Sequence, residues 1–156
     1  MSDTIIRELD EGDIQAFIDL CQEQAAETIP HMSFERDVVE RYAQDAIMAD
    51  DFLVLLAERD DALIGFPVGF ANPYMFCRGV TCEQEIMYVR LQNRGGFAAA
   101  GLIRAFTLWA EEKQALETYT GVANAFHTER ATSFFKRAGY EPVGTYLRKI
   151  RHDLLH

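Results

Sequence analysis

The sequence predicts a single domain of the α/β (α+β) class, with a mixed central sheet of about six to seven strands flanked by about four helices. Runs that alternate apolar and polar residues are interspersed with segments of helical spacing, and turn residues separate them at short intervals. The 156 residues contain no internal repeat and no low-complexity linker, so residues 1–156 are expected to form one domain. The predicted order is strand, two helices, three strands, helix, strand, helix, strand.

The amino-terminal part of the chain predicts one strand and two helices. "TIIREL" alternates apolar and polar residues, as a half-buried strand does. "DEGDIQAFIDLCQEQAAET" places its apolar residues on one helical face, with Asp10 as the N-cap and Pro30 just beyond the end. "SFERDVVERYAQDAIMA" again has apolar residues at helical spacing, and Ser33 is the predicted N-cap of this second helix.

The rest of the chain predicts five strands and two helices. "FLVLLAERDDALIGFPVGFANPY" contains two β-rich runs around a turn at residues 59–61, which is typical of a hairpin. Pro67 lacks an amide hydrogen and predicts that its strand bends or lies at a sheet edge. "EQEIMYV", "ETYTGVAN" and "EPVGTYLRKI" predict the other strands. One helix is expected after "EQEIMYV", up to about residue 113, and another in "TERATSFFKRAG", from a Thr128 cap to a stop at Gly139.

Composition excludes several classes of protein. Hydrophobic residues make up 49% of the chain and charged residues 26%, which is ordinary for a globular protein. The apolar runs are too short for a membrane span, and the amino terminus lacks the pattern of a signal peptide, so we expect a cytoplasmic protein without a membrane partner. Cys21, Cys77 and Cys82 are expected to be reduced thiols, and no histidine spacing suggests a metal site.

Charge is distributed unevenly along the sequence. Residues 1–61 carry 17 acids and four bases, a net charge of −13, whereas residues 62–156 carry eight acids and 11 bases, a net charge of +3. The acidic half attracts cations and argues against a nucleic-acid partner, and the basic half can accept a small polyanion. A solvated helical face that is simply acidic explains the first half about as well.

In the stretch "YVRLQNRGGFAAAG", the predicted helix begins with residues that are mostly glycine and alanine and so have little or no side chain. Gly95 and Gly96 leave the first helical N–H groups uncovered, and these groups together with the helix dipole form an anion site to which Arg94 adds charge. A tight turn followed by close packing is the alternative, because glycine and alanine serve both purposes.

The order of elements, this loop and "ATSFFKRAGYEPVG" together resemble the GNAT superfamily of acyl-CoA-dependent N-acetyltransferases. The resemblance covers the whole domain and implies acetyl-CoA as the cofactor, with no metal. Family members hold the coenzyme A diphosphate on an Arg/Gln-Gly-x-Gly-x-Gly/Ala loop, whose six places are filled here by Arg94, Gly95, Gly96, Phe97, Ala98 and Ala99. Phe97 replaces the second family glycine, as in the R-G-G-x-A-A version of some phage-encoded members.

The resemblance also implies roles for residues of the fourth strand. Glu85 lies where several members have a glutamate that takes the proton from the amine, and Glu83 is expected on the same strand face. Backbone amides near Met87 and Val89 are expected to bind the coenzyme and polarise the thioester carbonyl.

The usual family tyrosine, which protonates the departing thiolate, is replaced by Phe135, and this residue is expected to contact the coenzyme instead. Three explanations stay open. The thiolate can leave without a donor, since a thiol has a pKa of about 8.5. His127, Tyr140 or Tyr146 can reach the sulfur instead. The protein can also bind acyl-CoA without transferring the acyl group.

The resemblance places the acceptor beside the first two helices, in the acidic half. A cationic acceptor, either a small molecule or a protein amine, fits that field. A homodimer through the last strands is also compatible with this fold. The alternatives to an acetyltransferase are an acyl-CoA-binding module of weak or no activity, and a structural or assembly protein that reuses the fold.

Overall fold

One mixed sheet organises the computed structural model, which describes residues 3–121 and 128–154. Its five strands in the described chain follow one another in sequence order, each antiparallel to the next except the last two, which run parallel. The strands are β1 Ile5–Glu8, β2 Phe52–Arg59, β3 Ala62–Pro73, β4 Val80–Val89 and β5 Glu117–Thr120. The helices are α1 Ile14–Thr28, α2 Arg36–Met48, α3 Phe97–Glu112 and α4 Thr128–Arg137.

The predicted order of elements is confirmed as far as α4, but the predicted last strand is wrong. The described residues 141–150 form neither helix nor strand, so the sheet has five strands within the described chain and not six to seven. Pro142 removes a backbone donor and Gly144 has no side chain to pack, and both weaken a strand. Val143 and Leu147 are 75% and 93% exposed, so no buried face fixes this segment in a sheet.

The hairpin between β2 and β3 is confirmed. Asp60 and Asp61 have φ angles of 52° and 58°, the left-handed conformation that a two-residue type I′ turn requires. Pro67 does not lie at an edge, because β3 is paired on both sides and Pro67 stands opposite Met87 of β4. Because Pro67 has no amide hydrogen, it interrupts the ladder to β2, which has no paired residues between Val54↔Val68 and Ala57↔Gly65.

The caps of the first two helices differ in how well the sequence predicted them. The Asp10 carboxylate accepts from the Gly12 amide at 2.8 Å, and the Asp13 carboxylate accepts from the Asp10 amide at 3.1 Å. This capping box confirms Asp10 as an N-cap. It begins a short 3-10 turn that leads into α1. Ser33 is not the cap of α2, because that helix begins at Arg36 with Glu35 in the N-cap position. The Arg36 guanidinium, in the first turn of α2, donates to Asp19 of α1 at 2.8 Å and so connects the two helices.

Two hydrophobic clusters cover the two faces of the sheet. One joins α3 to the strands around Phe106, and the other joins α1 and α2 to the opposite face around Phe66. Gly69 lets α3 approach β3 closely, because a Cβ at that position would overlap the ring of Phe106. None of the described helices has the length and apolar composition of a membrane span.

Candidate active site

The two halves of β4 have different neighbours. Its first half, Thr81–Gln84, pairs in parallel with Glu117–Thr120 of β5. Its second half, Glu85–Val89, has no strand on that side among the described residues. The edge of β4 therefore opens onto a cleft of 1160 Å³, which is bounded by this open half, the start of α3, the end of α1 and α4.

A β-bulge marks the boundary between the two halves. In the ladder with β3, Val68 is opposite Ile86 and Gly69 is opposite Gln84, which leaves Glu85 as the extra residue. The bulge changes which side chains face α3, since Cys82 packs there before it and Met87 and Val89 pack there after it.

Glu85 lies at the opening of the cleft. Its side chain is exposed and lines the cleft, and it forms no hydrogen bond or ion pair with another described residue. Glu83 is not among the cleft-lining residues; its carboxylate accepts a hydrogen bond from the Tyr146 hydroxyl at 3.2 Å. The structure therefore separates the two carboxylates that the sequence placed on one strand face. A bulged strand commonly carries a side chain re-aimed in this way.

The loop after β4 leaves the start of α3 uncovered. A short 3-10 turn is followed by Gly95, whose φ of 85° is left-handed, and by Gly96 at the N-cap of α3. No side chain of the described residues caps this helix, so its first N–H groups have no side-chain partner in that part of the chain. Gly95, Gly96 and Ala99 line the cleft. The uncovered helix start therefore faces the same space as the open half of β4.

The side chains of Phe97 and Ala98 lie away from the cleft. Phe97 is 85% exposed, and Ala98 is fully buried in the cluster beneath α3. Neither is among the cleft-lining residues, in contrast to Met87, Val89 and Phe135. Any contact of Phe97 or Ala98 with a ligand at the helix start would therefore be made by the backbone.

Arg94 connects the loop to two other elements. Its Nε donates to the Val89 carbonyl at 2.7 Å, and its Nη2 donates to the Glu27 carboxylate of α1 at 2.7 Å. The guanidinium carbon lies 5.6 Å from the centre of the Tyr88 ring, within the range of a cation–π contact. The charge of Arg94 is thus already balanced by a carboxylate.

Four further arginines line the cleft and form no ion pair with any described residue: Arg104, Arg130, Arg137 and Arg148. A Cβ built on Gly95 would lie 3.8 Å from Nη2 of Arg130, so this cation stands beside the helix start. The sequence reasoning missed Arg104, Arg130 and Arg137. The spacing of Arg130 and Arg137, two turns apart on α4, is the signal that would have indicated a shared basic face.

The candidate proton donors have other partners. The Tyr140 hydroxyl lies 2.8 Å from Oγ1 of Thr107, which itself donates to the Ile103 carbonyl at 2.8 Å, so Tyr140 is the donor of the first bond. Burial raises the pKa of Tyr140 above its ordinary value. Burial, followed by the Glu83 charge, also raises the pKa of Tyr146. His127 lies outside the described residues.

Phe135 is 9% exposed and lines the cleft. Its ring packs edge-on against Phe134 and Tyr140, at centroid distances of 5.2 and 6.1 Å. The position at which the sequence resemblance implies a tyrosine is therefore part of an apolar wall. Within residues 3–121 and 128–154, no group of His, Cys, Asp and Glu side chains is arranged to hold a metal ion.

Comparison with solved structures identifies the fold. The aminoglycoside N-acetyltransferase AAC(6')-Iy, solved in complex with CoA, matches with a TM-score of 0.78 at 17% identity, over 97% of this chain and 96% of that chain. Glucosamine-6-phosphate N-acetyltransferase from Arabidopsis thaliana matches with 0.78 at 14% identity, over 95% and 98%. Ribosomal-protein-alanine N-acetyltransferase from Brucella melitensis biovar Abortus 2308 matches with 0.69 at 19% identity, over 96% and 99%.

No protein-family model and no curated protein matches the sequence. The structural matches extend over nearly the whole of both chains, and they include three N-acetyltransferases. The chain therefore has the fold of the GNAT N-acetyltransferases, and the resemblance drawn from the sequence is confirmed at the level of the fold.

Proposed function

We propose that this protein is an acetyl-CoA-dependent N-acetyltransferase, in which an amine attacks the bound thioester directly. The observation that carries the proposal is the open half of β4 beside the uncovered start of α3. The first offers backbone groups that pair with no described strand to an extended chain, and the second offers N–H groups to a diphosphate. Both line one cleft in a fold that solved N-acetyltransferases share.

The described residues fit an elongated anionic coenzyme. The cleft volume of 1160 Å³ exceeds the roughly 300–1,000 Å³ of ordinary ligand pockets. We assign the diphosphate to the backbone amides of residues 95–99, the acyl-carrying arm to the edge of β4 at Met87 and Val89, and the remaining phosphate charge to Arg104, Arg130 and Arg137. Phe135 supplies apolar contact beside the arm. The coenzyme, when bound, supplies the activated acyl thioester.

Glu85 is the proposed general base. It stands on the bulge at the boundary of the open half of β4, it lines the cleft, and no described cation holds its carboxylate. It takes a proton from the acceptor's ammonium group to give the neutral amine, which can then attack, and the proton passes directly or through a water molecule. Amides near Met87 and Val89 would hold the thioester carbonyl oxygen and stabilise the negative charge that develops on it as the amine replaces the thiolate. The thiolate can leave unprotonated, since a thiol has a pKa of about 8.5.

The proposed acceptor is a small cationic amine. The end of α1 lines the cleft with Gln24, Glu27 and Thr28, and the half of the sequence that contains it has a strongly acidic net charge. Two aminoglycoside acetyltransferases among the structural matches support a small-molecule amine, one solved with the bisubstrate analogue CoA-S-monomethyl-acetylneamine and one with sisomicin. The single domain, the homodimer and the cytoplasmic location stay predictions from the sequence.

A second candidate function is acyl-CoA binding without transfer. Phe135 favours it, because the position of the usual family acid has no proton to give. Isothermal titration of acetyl-CoA into the wild type, followed by a thiol-release assay across a panel of small amines, tests both candidates. Micromolar binding with thiol release supports the transferase. Binding without release by any amine supports the binding module, and no binding by a folded protein leaves a structural role.

A further inference from the structure

Arg94 differs from the other cleft arginines in having an internal anionic partner. Its Nη2 lies 2.7 Å from the carboxylate of Glu27, in the last turn of α1. The side chains are 31% and 39% exposed, so the pair lies at the surface of the cleft and a ligand can reach it. Both residues line the cleft together with Gly95 and Gly96.

The contacts of Arg94 leave its guanidinium able to bind a second anion. The Val89 carbonyl occupies Nε and Glu27 occupies Nη2, whereas Nη1 forms no hydrogen bond with any described residue. Arg94 directly precedes Gly95 and the uncovered helix start, where the proposed function places a diphosphate. A diphosphate at that point and the Glu27 carboxylate would be two anions beside the same guanidinium. Each therefore weakens the hold of the other on Arg94.

We infer that Glu27 determines coenzyme affinity and acceptor choice together, because its carboxylate competes with the coenzyme's diphosphate for Arg94. The inference rests on the proposed function. When the diphosphate binds Arg94, the ion pair between Arg94 and Glu27 weakens, while the Glu27 carboxylate still faces the cleft. It is then available to the cationic acceptor, and a cationic acceptor that binds Glu27 in turn releases Arg94 to the diphosphate. The two sites are coupled in both directions, as linkage requires.

The chain contains a matched control for this pair. Arg90 and Glu23 form a similar ion pair, with Nη2 to carboxylate at 2.6 Å, one turn earlier on α1. Neither residue is among those that line the cleft around Gly95 and Gly96. Neutralising Glu23 therefore removes the same charge, at a similar exposure and on the same helix, without releasing Arg94.

The test is isothermal titration of coenzyme A into five forms of the full chain: wild type, Glu27→Gln, Arg94→Gln, the double variant and Glu23→Gln. We expect Glu27→Gln to bind about three- to tenfold tighter and Arg94→Gln about tenfold weaker, in the range of ordinary coupling between neighbouring sites. The double variant should have the same affinity for coenzyme A as Arg94→Gln, since Glu27 acts on coenzyme binding through Arg94. Glu23→Gln should match the wild type within about twofold.

The outcomes separate this inference from the proposed function. If the wild type binds coenzyme A and Glu27→Gln binds equally or more weakly, the competition is refuted and the transferase proposal stands. An equal gain in affinity for Glu23→Gln would attribute the effect to net charge alone and would also refute it. If a folded wild type binds no coenzyme A, both proposals fail. If Arg94→Gln does not fold, by circular dichroism, the comparison of Glu27→Gln with Glu23→Gln decides by itself.

Discussion

The two halves of β4 belong to one strand and have opposite roles. Thr81–Gln84 is paired on both sides, and Gln84, 2% exposed, is a buried polar residue that accepts a hydrogen bond from Oγ1 of Thr120 at 3.1 Å. Glu85–Val89 keeps β3 as its partner but has no described strand on the other side. The paired half stabilises the sheet, whereas the open half is the part that we propose presents backbone groups to the coenzyme.

The bulge at Glu85 explains how one strand can serve both purposes. It lies where the pairing with β5 ends among the described residues, and it shifts the register of β4 against β3 at the same point. Bulges increase the local twist of a strand and commonly lie beside ligand sites. The lesson is that the candidate site lies at an interruption of the sheet and not in its regular part. Four experiments can break or sharpen the comparison.

The largest expected effect is on catalysis. Glu85→Gln should lower kcat by about 10²- to 10⁴-fold, because the amide cannot accept the proton of the attacking amine. Glu83→Gln is the matched control from the paired half, two residues away, and it should change kcat by less than about threefold. Steady-state rates of thiol release, with the amine that responds best in the panel, measure both. Equal losses in the two variants would contradict the division of the strand.

The next effect concerns the loop that follows the open half. Gly95→Asp should weaken acetyl-CoA binding by about 100-fold, since the added carboxylate faces the diphosphate in a partly desolvated site. Gly95→Asn is nearly isosteric and equally tolerant of the left-handed φ of 85°, so it should lose no more than about fivefold. Titration calorimetry gives both constants. Similar losses for Asp and Asn would show that backbone strain at residue 95 weakens binding. They would then contradict the proposal that a diphosphate binds at this position.

A substitution that affects the paired half should change the stability of the fold and not coenzyme binding. Thr120→Val removes the hydroxyl that donates to buried Gln84, which should lower the free energy of unfolding by about 1–3 kcal/mol. Thr118→Val, on the same strand, alters a hydroxyl that bonds to no described residue and should change it by less than about 0.5 kcal/mol. Urea unfolding followed by circular dichroism distinguishes them. A stable Thr120→Val with impaired coenzyme binding would reverse the roles assigned to the two halves.

The smallest effect concerns the wall that faces the open half. Arg130→Gln should weaken coenzyme A binding by about fivefold at low salt, and the loss should shrink as ionic strength rises because the interaction is exposed and screened. Arg151→Gln is the control, since Arg151 lies outside the cleft and pairs with Asp153 at 2.7 Å. Titrations at two salt concentrations measure the difference. A salt-independent loss would indicate that Arg130 acts on folding and not on the ligand.

The outcomes for particular residues indicate how far sequence reasoning reaches. Asp10 was predicted correctly as a cap, because its partners Gly12 and Asp13 are close in sequence. Ser33 was wrong as a cap, because α2 begins three residues later, at Arg36. Of the two alternatives for Pro67, the edge position was wrong, because β3 has a partner strand on each side. The predicted strand at 141–150 was wrong, since β-propensity without a paired neighbour does not make a strand.

The candidate site also combines features that depend on neighbouring residues in the sequence with features that depend on distant ones. The glycine loop, with Gly95 and Gly96, was readable because a helix start without capping side chains is a local property. The partnership of Arg94 with Glu27 joins residues 67 positions apart, and the approach of Arg130 to Gly95 joins two separate helix starts. No local pattern encodes such distances.

The sequence by itself determined the kind and order of the elements from β1 to α4, the hairpin turn, the uncovered start of α3 and the uneven charge, since each depends on residues within a few positions of one another. The tertiary structure decided where β4 parts from β5, that Glu85 is the bulged residue, and which arginines are balanced by carboxylates. These depend on strand pairing and packing between distant segments, whose free energies are set only when the whole sheet is assembled.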